Sequence, residues 1–458
     1  MLTGDNSILK RAGEASVETR GSTVEEQARL WEAEKVMYEN TGKTGKAPET
    51  VEQIVNRLVS EKVLTPDERD QILGNEDKGI EATGQITIGG RTIVFGKAGG
   101  NDDIPIGQDF TDKNNNEWVW IEVPKTIYTT TGTGKTTFTL ADLKNIRTDL
   151  LKYTGTLMPD GEDVTTTRNG GKDFWYDWDA ENWQITVSVD PLFTSEELAA
   201  MNISNDVLNS EAGCGLTYAN YKAKYEAMLE SVYTNGGFYI GKYETGYKFA
   251  EGETEVLRTA EGATTQKPVI QQDAYPYNYV TLPQAQKLAE GNDIAISGKT
   301  TSLMFGVQWD LVLKYLNVKG NLTVADLTQD STKWGNYSNN QSSETASEDT
   351  SFKITSEGAK ASDNYGESYD SIAENTVKTD TKLLLTTGSS SDLAPLNIYD
   401  LAGNLYEWTL EYTSFTRNPC SQRGGSFGYD GSRRPASNRD FLNPTDSILA
   451  LGFRVSLY

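Results

Sequence analysis

The chain has 458 residues, with 42 Lys and Arg against 66 Asp and Glu for a net charge of −24, 36% apolar residues and no histidine. That charge argues against nucleic acid or an anionic membrane surface as partner, because a phosphate-binding face needs a surplus of Lys and Arg. The missing imidazole removes Ser-His and Cys-His nucleophile activation and imidazole zinc sites.

The first hundred residues carry helix signals. Thr23 with Glu26, or Ser22 with Glu25, forms a capping box before Val24, Ala28 and Trp31, which recur at helical spacing. Thr50 with Gln53 opens a second helix with Val51, Ile54, Val55 and Leu58 on one face, and Thr65-Pro66-Asp67-Glu68 opens a short third. Residues 85–88 and 91–95, joined by Gly89-Gly90, read as a two-residue hairpin. Residues 96–103 are polar and glycine-rich, which sets the boundary between a domain over 1–97 and another over 98–458. Residues 1–15 and this order of helices then hairpin resemble the type IV pilin-like and pseudopilin-like proteins of Gram-positive bacteria. The resemblance implies a stalk, other pilin-like subunits as partners, and a membrane helix preceding Met1 as the sole link to a membrane.

Beyond the joint, residues 114–123 form a turn and then a strand with Trp118 and Trp120 on one face and Val119 and Ile121 on the other. Thr131-Gly-Thr-Gly-Lys-Thr136 ends like a phosphate loop, but Thr129 stands where its first glycine belongs, so it reads as an ordinary loop. Phe174-Trp-Tyr-Asp-Trp-Asp179 with Trp183 reads as a strand pair burying its rings with an exposed edge; a stacking platform for sugars or bases is the alternative. Residues 235–245 suit a half-buried strand, Phe238, Ile240 and Lys242 alternating with Tyr239, Gly241 and Tyr243. Helices follow over 279–288 and 303–313, the second with Trp309, Val312 and Leu316 on a core face. Residues 328–392, rich in Ser, Thr, Asn, Gly and acids, read as a long polar surface insertion.

Three pieces close the chain: Asn397-Ile-Tyr-Asp-Leu-Ala-Gly-Asn-Leu-Tyr-Glu-Trp-Thr409, Gln422-Arg-Gly-Gly-Ser-Phe427 and Leu451-Gly-Phe-Arg-Val455. Their order resembles the formylglycine-generating-enzyme-like branch of the C-type lectin fold, as do the strands near 117 and 238 and the two helices. The expected class is α+β. In the first piece Asp400 and Glu407 are acceptor-only, and Gly403 lets the backbone turn so that the carbonyls of Gly403 and Leu405 can face one spot. Such an oxygen set suits calcium, and the resemblance implies a structural calcium ion at Asp400, Gly403, Leu405 and Glu407. The alternative is a hydrogen-bonded turn in which Glu407 accepts backbone N–H groups and Trp408 is core.

Catalytic members of that family carry two cysteines after the R-G-G-S strand. Residues 427–439 contain none, and Cys214 and Cys420 read as free buried thiols, with one bridge between them left open. No organic cofactor is expected, and an enzyme ranks last among the functions considered. The same fold serves the variable proteins of diversity-generating retroelements, whose mutagenesis at template adenines turns AAC codons into NNC, a set without Lys, Glu, Gln, Met or Trp. None of these residues occurs from Arg423 to Tyr458. Fixed pieces, Arg423-Gly-Gly-Ser426, Pro435-Ala-Ser-Asn-Arg439 and Gly452-Phe-Arg454, alternate with variable ones: Phe427, Gly428, Tyr429, Asp430, Ser432, Arg433, Arg434, Asp440, Phe441, Leu442, Asp446, Ile448, Leu449 and Ala450. Ile448, Leu449 and Ala450 read equally well as core. Exposed rings and guanidinium groups dominate binding hot spots, so the expected function is a non-enzymatic recognition protein displayed at the cell surface, its ligand a protein or cell-surface structure. A structural or minor pilin-like subunit is the alternative.

Overall fold

The computed structural model describes residues 20, 23, 24, 27, 28, 31, 51–75, 78, 80, 85–88, 91–94, 105–157, 171–250, 252–253, 257–258, 265–340, 352–362, 370–371, 382–413 and 415–458. The chain divides into two units, residues 1–108 and 109–458.

In the first unit α1 (Val51–Ser60) buries Ile54, Val55 and Leu58. α2 (Pro66–Leu73) starts where Thr65-Pro66 was expected to open a helix, and it opens with a capping box in which Thr65 and Glu68 satisfy each other's backbone N–H. β1 (Gln85–Ile88) and β2 (Arg91–Val94) pair from Gln85↔Val94 to Ile88↔Arg91. Val24, Ala28 and Trp31 are helical and share one apolar core with α1, Ile72, Ile86, Ile88 and Ile93. Ser22, Glu25, Glu26 and Thr50, named above as capping residues, lie outside the described residues, as do residues 1–15 and the joint at 96–103.

The second unit starts with β3 (Phe110–Thr111) and β4 (Glu117–Glu122), then α3 (Leu140–Thr154), whose Thr139 and Asp142 form a capping box. The loop before α3 is no phosphate cradle: the N–H groups of Thr130 and Thr131 already donate to the Asp149 carboxylate of α3, at 3.1 and 3.0 Å. β5 (Trp175–Asp179) and β6 (Gln184–Val189) form a hairpin that buries Trp175, Tyr176 and Trp178 and leaves Trp183 56% exposed at its tip. α4 (Tyr218–Asn235) leads into β7 (Gly237–Gly241), followed by α5 (Leu282–Ala289), β8 (Thr301–Leu303) and α6 (Gly306–Lys319). β9 (Tyr406–Tyr412), β10 (Cys420–Arg423), β11 (Arg439–Leu442), β12 (Leu451–Phe453) and β13 (Val455–Leu457) close the chain.

Two sheets result. One runs β8-β13-β7-β4-β3, all antiparallel, so the last strand of the chain sits between strands from its middle; the other runs β11-β10-β9-β12, with β9 and β12 parallel. Interior position corrects one expectation. β7 lies between β13 and β4 and packs on α4, so all five of its residues are buried rather than every second one. Trp309, Val312 and Leu316 of α6 are fully buried, as expected. The stretch 328–392 also differs from a purely surface insertion. Trp334 and Tyr337 are buried, and Phe352, Ile354, Ala359, Leu383, Leu385 and Leu393 form a small core of their own; residues 341–351, 363–369 and 372–381 lie outside the described residues. Among the described residues no helix is long and apolar enough to cross a membrane.

Candidate functional site

The β11-β10-β9-β12 sheet is pinned by buried charge. Arg423 of β10 donates to Glu411 Oε2 and to Asp310 Oδ1 of α6, each at 2.8 Å, and Arg439 of β11 donates to Glu411 Oε1 at 2.6 Å and to Asp310 Oδ2. All four side chains are buried, and two guanidinium groups balance two carboxylates. Burial would raise the Glu411 carboxyl, yet Arg439 and Arg423 hold it below its ordinary value. The indole of Trp309 lies 5.4 Å from the Arg423 guanidinium. The double glycine that follows has a steric reason: Gly425 has φ +76°, and a Cβ there would sit 2.3 Å from the Arg434 carbonyl. The chain therefore leaves the strand sharply and enters the loop that carries most of the candidate variable residues.

Exposure in that region follows the division made from sequence, with two exceptions. Tyr429, Asp430, Ser432, Arg433 and Ile448 are exposed, and Gly428, Arg434, Asp440, Phe441, Leu442, Asp446 and Ala450 are half-buried. Phe427 and Leu449 are 3% and 7% exposed. These two pack with Leu384 and Leu405 in an apolar cluster, so they belong to the scaffold and not to a binding face. The pieces taken as fixed are buried except for the half-buried Asn438. Asp430 accepts from Ser338 Oγ at 3.0 Å and Asp446 accepts from the Asn443 N–H at 2.9 Å, contacts that hold the two loops in shape.

Two residues outside the stretch contact its side chains, one exposed and one, Tyr406, buried beneath them. Phe415, 42% exposed, stacks on Phe441 with centroids 4.2 Å apart, and Tyr406 meets Tyr429 edge to face at 5.9 Å. Neither carried a sequence signal, since the codon argument begins at Arg423. Arg434 pairs with Asp440 at 3.1 Å and lies 5.6 Å from the Tyr429 ring centroid. Gln422 stands directly opposite Asp440 across β10 and β11, which puts both side chains on one side of the sheet.

The 400–407 turn is built as expected, and a guanidinium meets part of its charge; burial first, then neighbouring carboxylates, still hold Glu244 well above the ordinary carboxyl range. Gly403 has φ +74°, and a Cβ there would lie 2.2 Å from the Asn336 carbonyl. Asp400 accepts from the Gly388 N–H at 2.7 Å. Glu407 accepts from Arg454 through both oxygens, at 2.8 to 3.1 Å, so the positive charge assigned to calcium is supplied by a guanidinium. Arg454 also donates to the carbonyls of Gly241 and Tyr399. The side chain of Leu405 packs in the apolar cluster with Phe427 and Leu449. Asp400 and Glu407 thus have partners within the protein where calcium was expected, and among the described residues no three acidic or thiol side chains converge on a metal position. The alternative is corrected too, because Glu407 is bound by a side chain and not by backbone N–H groups. Trp408 is core, its Nε1–H donating to the Val280 carbonyl.

These buried acids make stability depend on pH. Burial pushes Asp400 up to about 6, and burial, then the nearby Glu411 charge, push Asp173 up to about 7. Asp173 accepts from the Gly306 and Val307 N–H groups at 2.6 and 3.1 Å, at the start of α6 and on the wall of a cavity of about 350 Å³. Because the folded values exceed the unfolded ones, the contribution of both groups is fully present below about pH 4 and fades as pH rises through 6 to 7. The melting temperature should therefore fall between pH 5 and pH 8 at constant ionic strength, and Asp173→Asn should flatten that fall.

Cys214 and Cys420 are free and buried. Burial pushes the Cys214 thiol up to about 12 and Cys420 well above its ordinary value, with the Tyr176 hydroxyl 2.9 Å from the Cys420 sulfur.

The sheet with its one parallel pair, the charge-pinned R-G-G turn and the final strand entering the other sheet define a protein of the C-type lectin-like fold. Residues 217–457 match the family described as Sulfatase-modifying factor enzyme 1-like domain, and the chain belongs to that FGE-sulfatase family. No curated protein matches the chain. A solved structure titled "Crystal Structure of CarF" aligns at 13% identity over 69% of this chain and 82% of that one, with a TM-score of 0.17, a likeness too slight to bear on fold or function.

Proposed function

We propose that the second unit is a recognition module whose C-terminal loops carry diversified side chains, and that the chain is displayed at the cell surface on a pilin-like stalk formed by its first unit. One observation carries the reading: of the fourteen residues assigned as variable, all but Phe427 and Leu449 reach solvent, while the pieces taken as fixed are buried except for the half-buried Asn438. A rigid scaffold under changeable side chains lets a partner dock with little loss of conformational entropy. The partner is a protein or another cell-surface structure. The source DNA tests the reading. It should hold a near-copy of the segment encoding residues 423–458, rich in AAC codons and beside a reverse transcriptase gene. A genome with neither would leave the head as a structural subunit and reject diversification.

A further inference from the structure

The cavity beside Asp173, about 350 Å³, has none of the variable residues in its lining. It opens to solvent: Thr148 and Lys172 on its wall are exposed, and Arg147, Leu151, Asp173 and Phe174 are half-buried. Most of the charge on that wall is met inside the protein. Asp190 takes both terminal nitrogens of Arg147, at 2.7 and 3.0 Å, and Glu411 is held by Arg423 and Arg439. Two groups are left over. Asp173 accepts from the Gly306 and Val307 N–H groups and, among the described residues, pairs with no Lys or Arg. Lys172 has its Nζ 5.4 Å from the Phe174 ring centroid and, among the described residues, pairs with no carboxylate. Satisfying the first N–H groups of α6 does not by itself explain a carboxyl at 173. Ser or Asn would accept there without a charge that burial and Glu411 oppose.

The bonds already made restrict what Asp173 can take. Gly306 N–H sits on Oδ1 and Val307 N–H on Oδ2, so the edge where a guanidinium fork would dock is filled. Each oxygen keeps a lone pair for a single donor, which an ammonium supplies. A simple ammonium would leave Lys172 unmatched, and a simple carboxylate would meet the Asp173 charge. A molecule bearing both groups matches both residues and adds no net charge. Lys172 and Asp173 adjoin in sequence, which suits two charges separated by one carbon. The rest of the wall, with Leu151, Phe174, Tyr225 and Val307, offers an apolar side chain a place. We infer that the cavity binds a free α-amino acid with an apolar side chain, its ammonium on Asp173 and its carboxylate toward Lys172. This site goes beyond the variable face and does not rest on it.

The test is isothermal titration calorimetry on the full chain at pH 8, above the value of about 7 for Asp173, so that its carboxyl is ionised. The probes are L-leucine, L-serine, 3-methylbutylammonium chloride and sodium 4-methylpentanoate. The last two are leucine without its carboxylate and without its ammonium. Leucine should bind and saturate, with each of the others at least tenfold weaker, and it should raise the melting temperature. Asp173→Asn should remove leucine binding. Lys172→Gln should weaken leucine at least fivefold and leave 3-methylbutylammonium unchanged, a split that a purely structural role would not produce. Thr148→Trp, at the mouth, should block leucine. Lys172 and Thr148 are exposed, so those two variants carry the test if Asp173→Asn fails to fold. No saturable binding of leucine, binding of 3-methylbutylammonium or serine as tight as leucine, or leucine binding unchanged in Lys172→Gln and Thr148→Trp would overturn the site.

Discussion

Arg423→Met should cost about 3–5 kcal/mol of folding stability, the loss expected when one partner is removed from a buried ion network. The side chain is fully buried and bridges Glu411 and Asp310 at 2.8 Å each. Methionine fills much of the volume but leaves two enclosed carboxylates facing Arg439 alone, so the penalty comes from uncompensated charge more than from a cavity. Arg423→Lys should fall between the two, since an ammonium keeps the charge but cannot span both acceptors with a planar fork. Urea unfolding followed by tryptophan fluorescence checks both, and Trp309 beside Arg423 reports on this sheet directly. A loss below about 1 kcal/mol would mean that the network does not hold the scaffold.

The second large effect lies in a contrast between near neighbours. Phe427→Ala should cost about 3–5 kcal/mol as a buried ring is deleted, whereas Tyr429→Ala, which gives up one edge-to-face ring contact and an exposed cation–π contact, should cost about 1 kcal/mol. The same split is expected between Leu449 and Ile448, which are 7% and 42% exposed. If the loops carry recognition, Tyr429→Ala instead removes partner affinity, as truncating an exposed aromatic anchor does.

What could be read from the chain was local. The helix opened by Thr65-Pro66, the hairpin over 85–94 and the core face of the helix bearing Trp309 follow from spacings of a few residues. What could not be read depended on distant partners. The full burial of β7 comes from neighbours at 117–122 and 455–457, and nothing in residues 235–245 announces a strand covered on both faces. Glu407 looks like a metal ligand until Arg454 arrives beside it through the parallel pairing of β9 and β12. Composition likewise cannot say which of Phe427 and Tyr429 turns inward. That choice is made by Leu384 and Leu405, one of them supplied by the stretch expected to be a polar insertion.

The most direct measurement is a library in which residues 427–450 are replaced one position at a time by NNC-encoded amino acids and scored for folding by protease resistance. Most substitutions at the twelve solvent-reaching variable positions should survive, while those at Phe427, Leu449, Arg439 and Ala436 should be lost. Equal intolerance at Tyr429, Arg433, Phe441 and Ile448 would contradict a stiff scaffold bearing interchangeable side chains.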